Sequence, residues 1–170
     1  KHFGMRPEPG IRVTLISEQF SSPYSGMLPG CIAGTYAQQD IEINLANLCQ
    51  FAGARFIHAT VTGVDREASR VQLGERPELR FDVLSINTGA VPVSPFPEAI
   101  AVKPISQFLP KWAAAKEKLV GMNKPIVLIV GAGAGGCELA LAMSVSLPGA
   151  QIKVVGKHLL SGHNLSLIHI

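Results

Sequence analysis

Three glycines carry the strongest chemical signal in this chain. Gly131, Gly133 and Gly136 stand at G-x-G-x-x-G spacing, directly after the apolar run Ile126-Val127-Leu128-Ile129-Val130 and directly before a segment with helical periodicity. The run reads as a buried strand of a parallel sheet. In that setting each glycine has its own task. Gly131 permits the tight turn, Gly133 lets backbone approach a pyrophosphate, and Gly136 lets helix and strand pack closely. The helix N-terminus adds free N–H groups and a positive dipole end, which suit phosphate. The alternative is a glycine-rich packing turn with no ligand.

Other reactive side chains are sparse. Glu138, two residues past the third glycine, is expected in the helix's first turn, where an acid suits the dipole. Cys31, Cys49 and Cys137 are too far apart for C-x-x-C chemistry and odd in number, so neither zinc nor a disulfide framework is suggested. A reducing, cytoplasmic setting fits. Cys49 falls on a helical core face. His58 sits within an alternating strand, and His158 and His163 stand near the chain's end; each reads as solvent-facing or incidental. No general base is assigned, the catalytic residue is unknown and no metal set emerges.

Composition sets the class. Of 170 residues, 47% are hydrophobic and 16% charged, which describes a well-buried globular chain. A net charge of +3 without a basic, aromatic-interleaved run does not argue for nucleic acid. No stretch approaches the ~18 apolar residues that span a bilayer, and Lys1 begins no signal peptide. Peripheral membrane attachment stays open.

The elements that must position the glycine turn follow from periodicity and punctuation. Residues 1–4 resemble a helix end. Residues 11–17 read as a β-branched strand ending at Glu18, and residues 23–30 as a loop too rich in Pro and Gly for helix or central strand. Ile41, Leu45, Leu48, Cys49 and Ala52 recur at helical spacing, with Gly53 as C-cap. Residues 56–64, 70–73 and 79–86 read as three successive strands, the last ending in Asn87-Thr88-Gly89-Ala90. A connector with Pro92, Pro95 and Pro97 leads to an amphipathic helix carrying Ile105, Leu109, Trp112, Leu119 and Val120. After the glycine turn, Leu139, Ala140, Met143 and Leu147 share a helical face, Pro148-Gly149 stops it, and residues 151–155 form the next strand. The order is strand, β-meander, connector, then β-α-β.

That order, with the residues standing in it, resembles the pyridine nucleotide-disulfide oxidoreductases over residues 11–157. Phe81-Asp82-Val83-Leu84-Ser85-Ile86-Asn87-Thr88-Gly89-Ala90 is similar to their strand ending in a T-G turn beside the flavin nucleotide. Residues 124–155 are similar to their nicotinamide-binding unit. Pro23-Tyr24-Ser25-Gly26-Met27-Leu28-Pro29-Gly30-Cys31-Ile32-Ala33-Gly34 resembles the type II NADH dehydrogenase-like domain found fused to selenide, water dikinase. The resemblance implies an α/β fold of two Rossmann-like dinucleotide-binding domains with a β-meander insertion, truncated at both ends. Residues 1–103 would be a partial FAD-binding domain whose first glycine-rich strand is missing, and 104–164 a partial NAD(P)-binding domain. Residues 165–170, which ctg-tct-ctt-ata-cac-atc encodes, match a transposase adapter used in sequencing libraries and are expected to be an artefact; the alternative is a genuine apolar strand.

The resemblance also implies cofactors and roles. FAD and NAD(P)H are expected, with Gly131, Gly133, Gly136 and Glu138 toward NAD(P) and Glu18, Thr88 and Gly89 toward FAD. Tyr24 and Met27 are expected near the flavin. Departures matter as well. The C-x-x-x-x-C redox pair is absent, so direct electron transfer from flavin to a small-molecule acceptor is expected, with Cys31 as a reactive thiol left open. The ribose acid's place holds Ser17, with Glu18 one residue on; the alternative for Glu18 is a solvated strand end. Lys157 follows the second nicotinamide strand where an acid is usual, which leaves NADH and NADPH both open. A fused selenide, water dikinase domain is a candidate partner. Two other classes stay in view: a non-catalytic nucleotide-sensing module, and a flavin-free Rossmann dehydrogenase or methyltransferase.

Overall fold

The computed structural model describes residues 2–92 and 96–157. Pro95, His158, His163 and the adapter-like residues 165–170 lie outside them. In chain order the elements are α1 (His2–Met5), β1 (Thr14–Ser17), β2 (Ser21–Pro23), α2 (Leu28–Ala33), β3 (Glu42–Asn44), α3 (Leu45–Phe51), β4 (Arg55–His58), β5 (Gly63–Asp65), β6 (Arg70–Leu73), β7 (Arg76–Arg80), α4 (Ile105–Leu119), β8 (Ile126–Val130), α5 (Ala134–Ser146) and β9 (Gln151–Val155). Single 3₁₀ turns at Ser25–Met27 and Gln38–Ile41 precede α2 and β3. The chain divides into two compact units: Lys1–Ser22 with Glu42–Gly89, and Pro23–Ile41 with Ala90–Ile170.

In the first unit β1 and β4 run parallel, Thr14 opposite Arg55 through Ser17 opposite His58. Helix α3 connects toward β4 and is capped by Asn44, whose Oδ1 accepts the Asn47 N–H at 2.9 Å. Such a cap is worth ~1 kcal/mol. Gly53 follows in a left-handed conformation, φ +61°. Strands β5, β6 and β7 form an antiparallel meander. Val71 and Leu73 of β6 are buried while their neighbours are exposed, the alternation of a half-covered sheet.

The second unit is built around the β8–α5–β9 crossover. Strands β8 and β9 pair in parallel over all five residues, Ile126 opposite Gln151 through Val130 opposite Val155. A single apolar cluster joins Leu28 and Ile32 of α2, Phe108, Leu109 and Trp112 of α4, and Leu139, Ala142 and Met143 of α5. The Phe108 and Trp112 rings stack at a 6.5 Å centroid distance.

Several expectations need correction. Residues 28–30 of the expected Pro/Gly loop belong to α2, which runs on to Ala33. Pro29 sits in the first turn, where a missing N–H costs nothing, and Gly34 ends the helix at φ +87°. The helix expected from Ile41 begins at Leu45, because Asn44 caps it there. The strand expected over 11–17 spans only Thr14–Ser17, and 56–64 splits into β4 and β5, which belong to different sheets. The strand expected over 79–86 is displaced to Arg76–Arg80. Residues 81–92 have no regular structure, and Val83, Ile86 and Val91 are exposed. The Phe81 N–H donates to the Ser69 carbonyl at 3.0 Å, and no described strand pairs with the residues after it. The β8 run is covered on one face only: Val127 and Ile129 pack on the core, whereas Ile126, Leu128 and Val130 are more than half exposed. Ala140 is half-buried, and Ala142 takes its place in the core.

Candidate functional site

The glycine turn joins β8 to α5. Gly131 has φ +120°, a conformation that side chains disfavour, and its N–H donates to the Val155 carbonyl at 2.7 Å. The turn is thereby tied to the end of β9. A Cβ at Gly136 would overlap the Gly131 carbonyl oxygen, so only glycine lets α5 leave this close to the strand. Gly133 is different. As N-cap of α5 it has φ −74° and ψ 177°, open to any residue, and a Cβ there would meet nothing within 4 Å. Nothing inside the described chain demands a glycine at this position. No side chain caps the helix, so the first-turn N–H groups lack a side-chain acceptor. Uncapped donors beside open space at Gly133 and Gly135 fit an anionic diphosphate.

Gly156 is a residue the sequence reading passed over. A Cβ there would crowd the backbone nitrogen and Cβ of Ala132, so β9 leaves the sheet hard against the glycine turn. Its position directly after the second parallel strand was the available signal. Lys157 follows, exposed and without an ion pair among the described residues.

The same unit carries a cleft of about 580 Å³, lined in part by Tyr24, Ser25, Lys103, Ile105 and Glu138. Glu138 is the fifth residue of α5, beyond the first turn, which corrects the expectation of a dipole-capping acid. It is half-buried and shares the cleft with Lys103, at a separation too large for an ion pair. Tyr24 lines this cleft, whereas Met27 stands at the N-cap of α2 and packs against the apolar cluster.

Glu18, Thr88 and Gly89 all lie in the first unit. Glu18 follows β1 at its C-terminal end, and its exposed carboxylate has no hydrogen bond or ion pair among the described residues. Gly89 is left-handed at φ +78°, in the irregular segment it shares with Thr88. No hydrogen bond joins Glu18 to Thr88 or Gly89 among the described residues. His58 is exposed but is not incidental. Its Nε2 lies 2.9 Å from the Glu18 carbonyl oxygen, and its ring stacks on Phe20 at 4.1 Å.

Cys31, Cys49 and Cys137 are all free thiols. Burial, then the negative charge of Asp40, pushes the Cys31 thiol above its ordinary 9.0, and burial does the same to Cys49. Both are therefore thiols at neutral pH, poor nucleophiles. The Cys137 Sγ lies 3.8 Å from the Ala132 carbonyl. Among the described residues no three His, Cys, Asp or Glu side chains gather as metal ligands, and no helix is long and apolar enough to cross a membrane.

A parallel β-α-β unit with an uncapped glycine turn defines a dinucleotide-binding fold. The sequence profile described as pyridine nucleotide-disulphide oxidoreductase matches residues 4–162, and the chain belongs to that family, whose members are FAD- and NAD(P)H-dependent oxidoreductases. None of the curated proteins matches the sequence. Solved structures share the fold. A NAD-dependent persulfide reductase from A. fulgidus is 19% identical at a TM-score of 0.69, over 89% of this chain and 30% of its own length. A ferredoxin reductase from Rhodopseudomonas palustris is 17% identical at 0.69, over 99% and 45%. NDH2 from Plasmodium falciparum, solved with NADH, is 18% identical at 0.68, over 90% and 38%. The chain thus spans less than half the length of these structures.

Proposed function

We propose that this chain is part of an FAD-dependent NAD(P)H oxidoreductase, with residues 104–164 toward the nicotinamide nucleotide and residues 1–103 toward FAD. The observation that carries the reading is Gly133: a glycine with no internal reason to be one, at the uncapped N-terminus of α5. Gly131 and Gly136 hold the turn in shape, and the free N–H groups of α5 receive the diphosphate. Glu138 enters the cleft from α5 and serves to orient the nicotinamide end. Lys157, exposed after β9, would suit a 2′-phosphate or be surface charge, so NADH and NADPH are both kept as donors. Glu18 is assigned to the FAD ribose hydroxyls, and Thr88 and Gly89 to the turn beside the flavin. When bound, the flavin supplies hydride acceptance and onward electron transfer to an acceptor.

Without a C-x-x-x-x-C pair, and with Cys31 held as a thiol, the acceptor takes electrons without a redox disulfide. Residues 23–34 support the type II NADH dehydrogenase-like branch, and with it a fused selenide, water dikinase domain as partner, a reducing cytoplasmic setting and peripheral membrane contact at most. The exposed Ile126, Leu128 and Val130 face and the 82–92 segment, which joins no sheet among the described residues, fit a longer protein whose further elements cover them. The 170 residues alone are accordingly inactive. The test is to express the chain beside a form extended at both ends to the natural termini. The extended form is expected to purify yellow, with one FAD per chain. A colourless extended form that still oxidises a substrate with NAD(P) would favour a flavin-free dehydrogenase, and one that binds nucleotide without turnover a sensing module.

A further inference from the structure

At the C-terminal ends of β1 and β4, the segment following β1 is held by four separate contacts. The Ser17 Oγ accepts the Gln19 N–H at 3.1 Å, closing a tight side-chain turn around Glu18. The Ser17 carbonyl accepts the Ala59 N–H at 3.1 Å, and the Phe20 carbonyl accepts the Leu45 N–H at 2.9 Å. The fourth contact is the only one of these made by a side chain forty residues away. His58 Nε2 meets the Glu18 carbonyl at 2.9 Å. A carbonyl oxygen only accepts, so Nε2 carries the proton, whether the ring is neutral or cationic. The same imidazole lies on the Phe20 ring at 4.1 Å and 23°, and Phe20 in turn leans on Phe56 at 5.9 Å.

These contacts surround one residue whose own side chain has no partner among the described residues: the exposed carboxylate of Glu18. The usual acid in a dinucleotide fold ends the second strand; here that place is Ser17, and the acid stands one residue later. A one-residue step along a strand sends the side chain to the opposite face. The turn must therefore bend the chain after Ser17 if Glu18 is to serve the ribose.

We propose that His58 is a positioning residue for the FAD ribose: its hydrogen bond to the Glu18 carbonyl, with its ring seated on Phe20, fixes the displaced turn so that the Glu18 carboxylate substitutes for the acid absent at Ser17. The inference rests on the reading of residues 1–103 as the FAD side. His58 is assigned no contact with the cofactor itself; it acts through Glu18.

The test measures FAD affinity of the apo form of the extended flavoprotein, by quenching of flavin fluorescence, for wild type, H58F, H58Q, E18Q and the H58F/E18Q double variant. Phe keeps the stack on Phe20 and removes the donor, and should weaken FAD about three- to tenfold, the worth of one such hydrogen bond. Gln, which can donate from its amide, should stay within about twofold of wild type. In the double variant the loss should equal that of E18Q alone, because a residue acting through Glu18 has nothing left to position. Equal affinity of H58F and wild type, or losses that add in the double variant, would overturn the proposal while leaving FAD binding intact. A wild type that binds no FAD would overturn the underlying reading, and the proposal with it.

Discussion

Gly133 and Gly136 stand three positions apart in one motif, yet one faces open space and the other packed backbone. Placing a methyl at Gly136 drives it into the Gly131 carbonyl oxygen, a backbone atom that cannot swing aside. Overpacking of this kind costs about 1–3 kcal/mol, which for a chain of this size lowers Tm by roughly 2–12 °C. Gly133→Val meets open space at an ordinary φ of −74°. The stiffer unfolded chain contributes about 0.4–1 kcal/mol, and the loss of a tolerated N-cap glycine opposes it by a similar ~0.5–1 kcal/mol. Stability should change little. Nucleotide binding should show the reverse order, because the valine methyls occupy the room a diphosphate needs. We expect NADH and NADPH affinity to fall at least about tenfold, ~1.4 kcal/mol, with flavin content unchanged. Thermal melts and calorimetric titration of Gly133→Val and Gly136→Ala read both quantities. A Gly133→Val protein that melts as low as Gly136→Ala, or that binds both nucleotides like wild type, would refute the argument that open space at Gly133 is a ligand's space.

Further outcomes follow from the same geometry. Cys31→Ser should keep turnover with an artificial electron acceptor; a loss beyond about a hundredfold, ~2.7 kcal/mol of barrier, would place the thiol in the chemistry. Because the folded chain holds the Cys31 and Cys49 protons more tightly than the unfolded chain, their contribution to stability is fully present below the ordinary 9.0 and is lost as pH rises through the raised folded values. Denaturant melts of wild type and a Cys31→Ser/Cys49→Ala variant should therefore differ more steeply with pH above 9.0 than below it. Trp112→Ala removes a ring that is 8% exposed in the apolar cluster, and should cost ~3–5 kcal/mol in chemical unfolding. A smaller cost than about 1 kcal/mol would mean that α4 does not anchor that core.

The β-α-β unit was legible because three independent signals coincide within thirty residues: an apolar run, glycine spacing and a Pro148-Gly149 stop. Both strands fall where expected. Around residues 23–34, glycine and proline counts misled, since Pro29 and Gly34 act by position at the two ends of α2 rather than by composition. Leu79 and Arg80 pair with β6, but a strand continues only with a partner, and no described strand pairs with residues 82–86. His58 is solvent-facing as its strand pattern indicates, but its contact with Glu18 forty residues away is one that no local pattern encodes. Gly156 was invisible for a similar reason: its constraint is the approach of Ala132, a feature of the folded crossover.

The central claim is that nicotinamide nucleotide docked on the Gly131–Gly136 turn reduces a flavin held by the same protein. The direct measurement is an anaerobic titration of the extended flavoprotein with NADH and with NADPH, following its visible flavin absorbance. The account predicts bleaching complete at about one equivalent of the preferred nucleotide, with recovery on adding an acceptor, and a shift to large excess in Gly133→Val. A flavin that stays oxidised in the presence of saturating NADH and NADPH would contradict it.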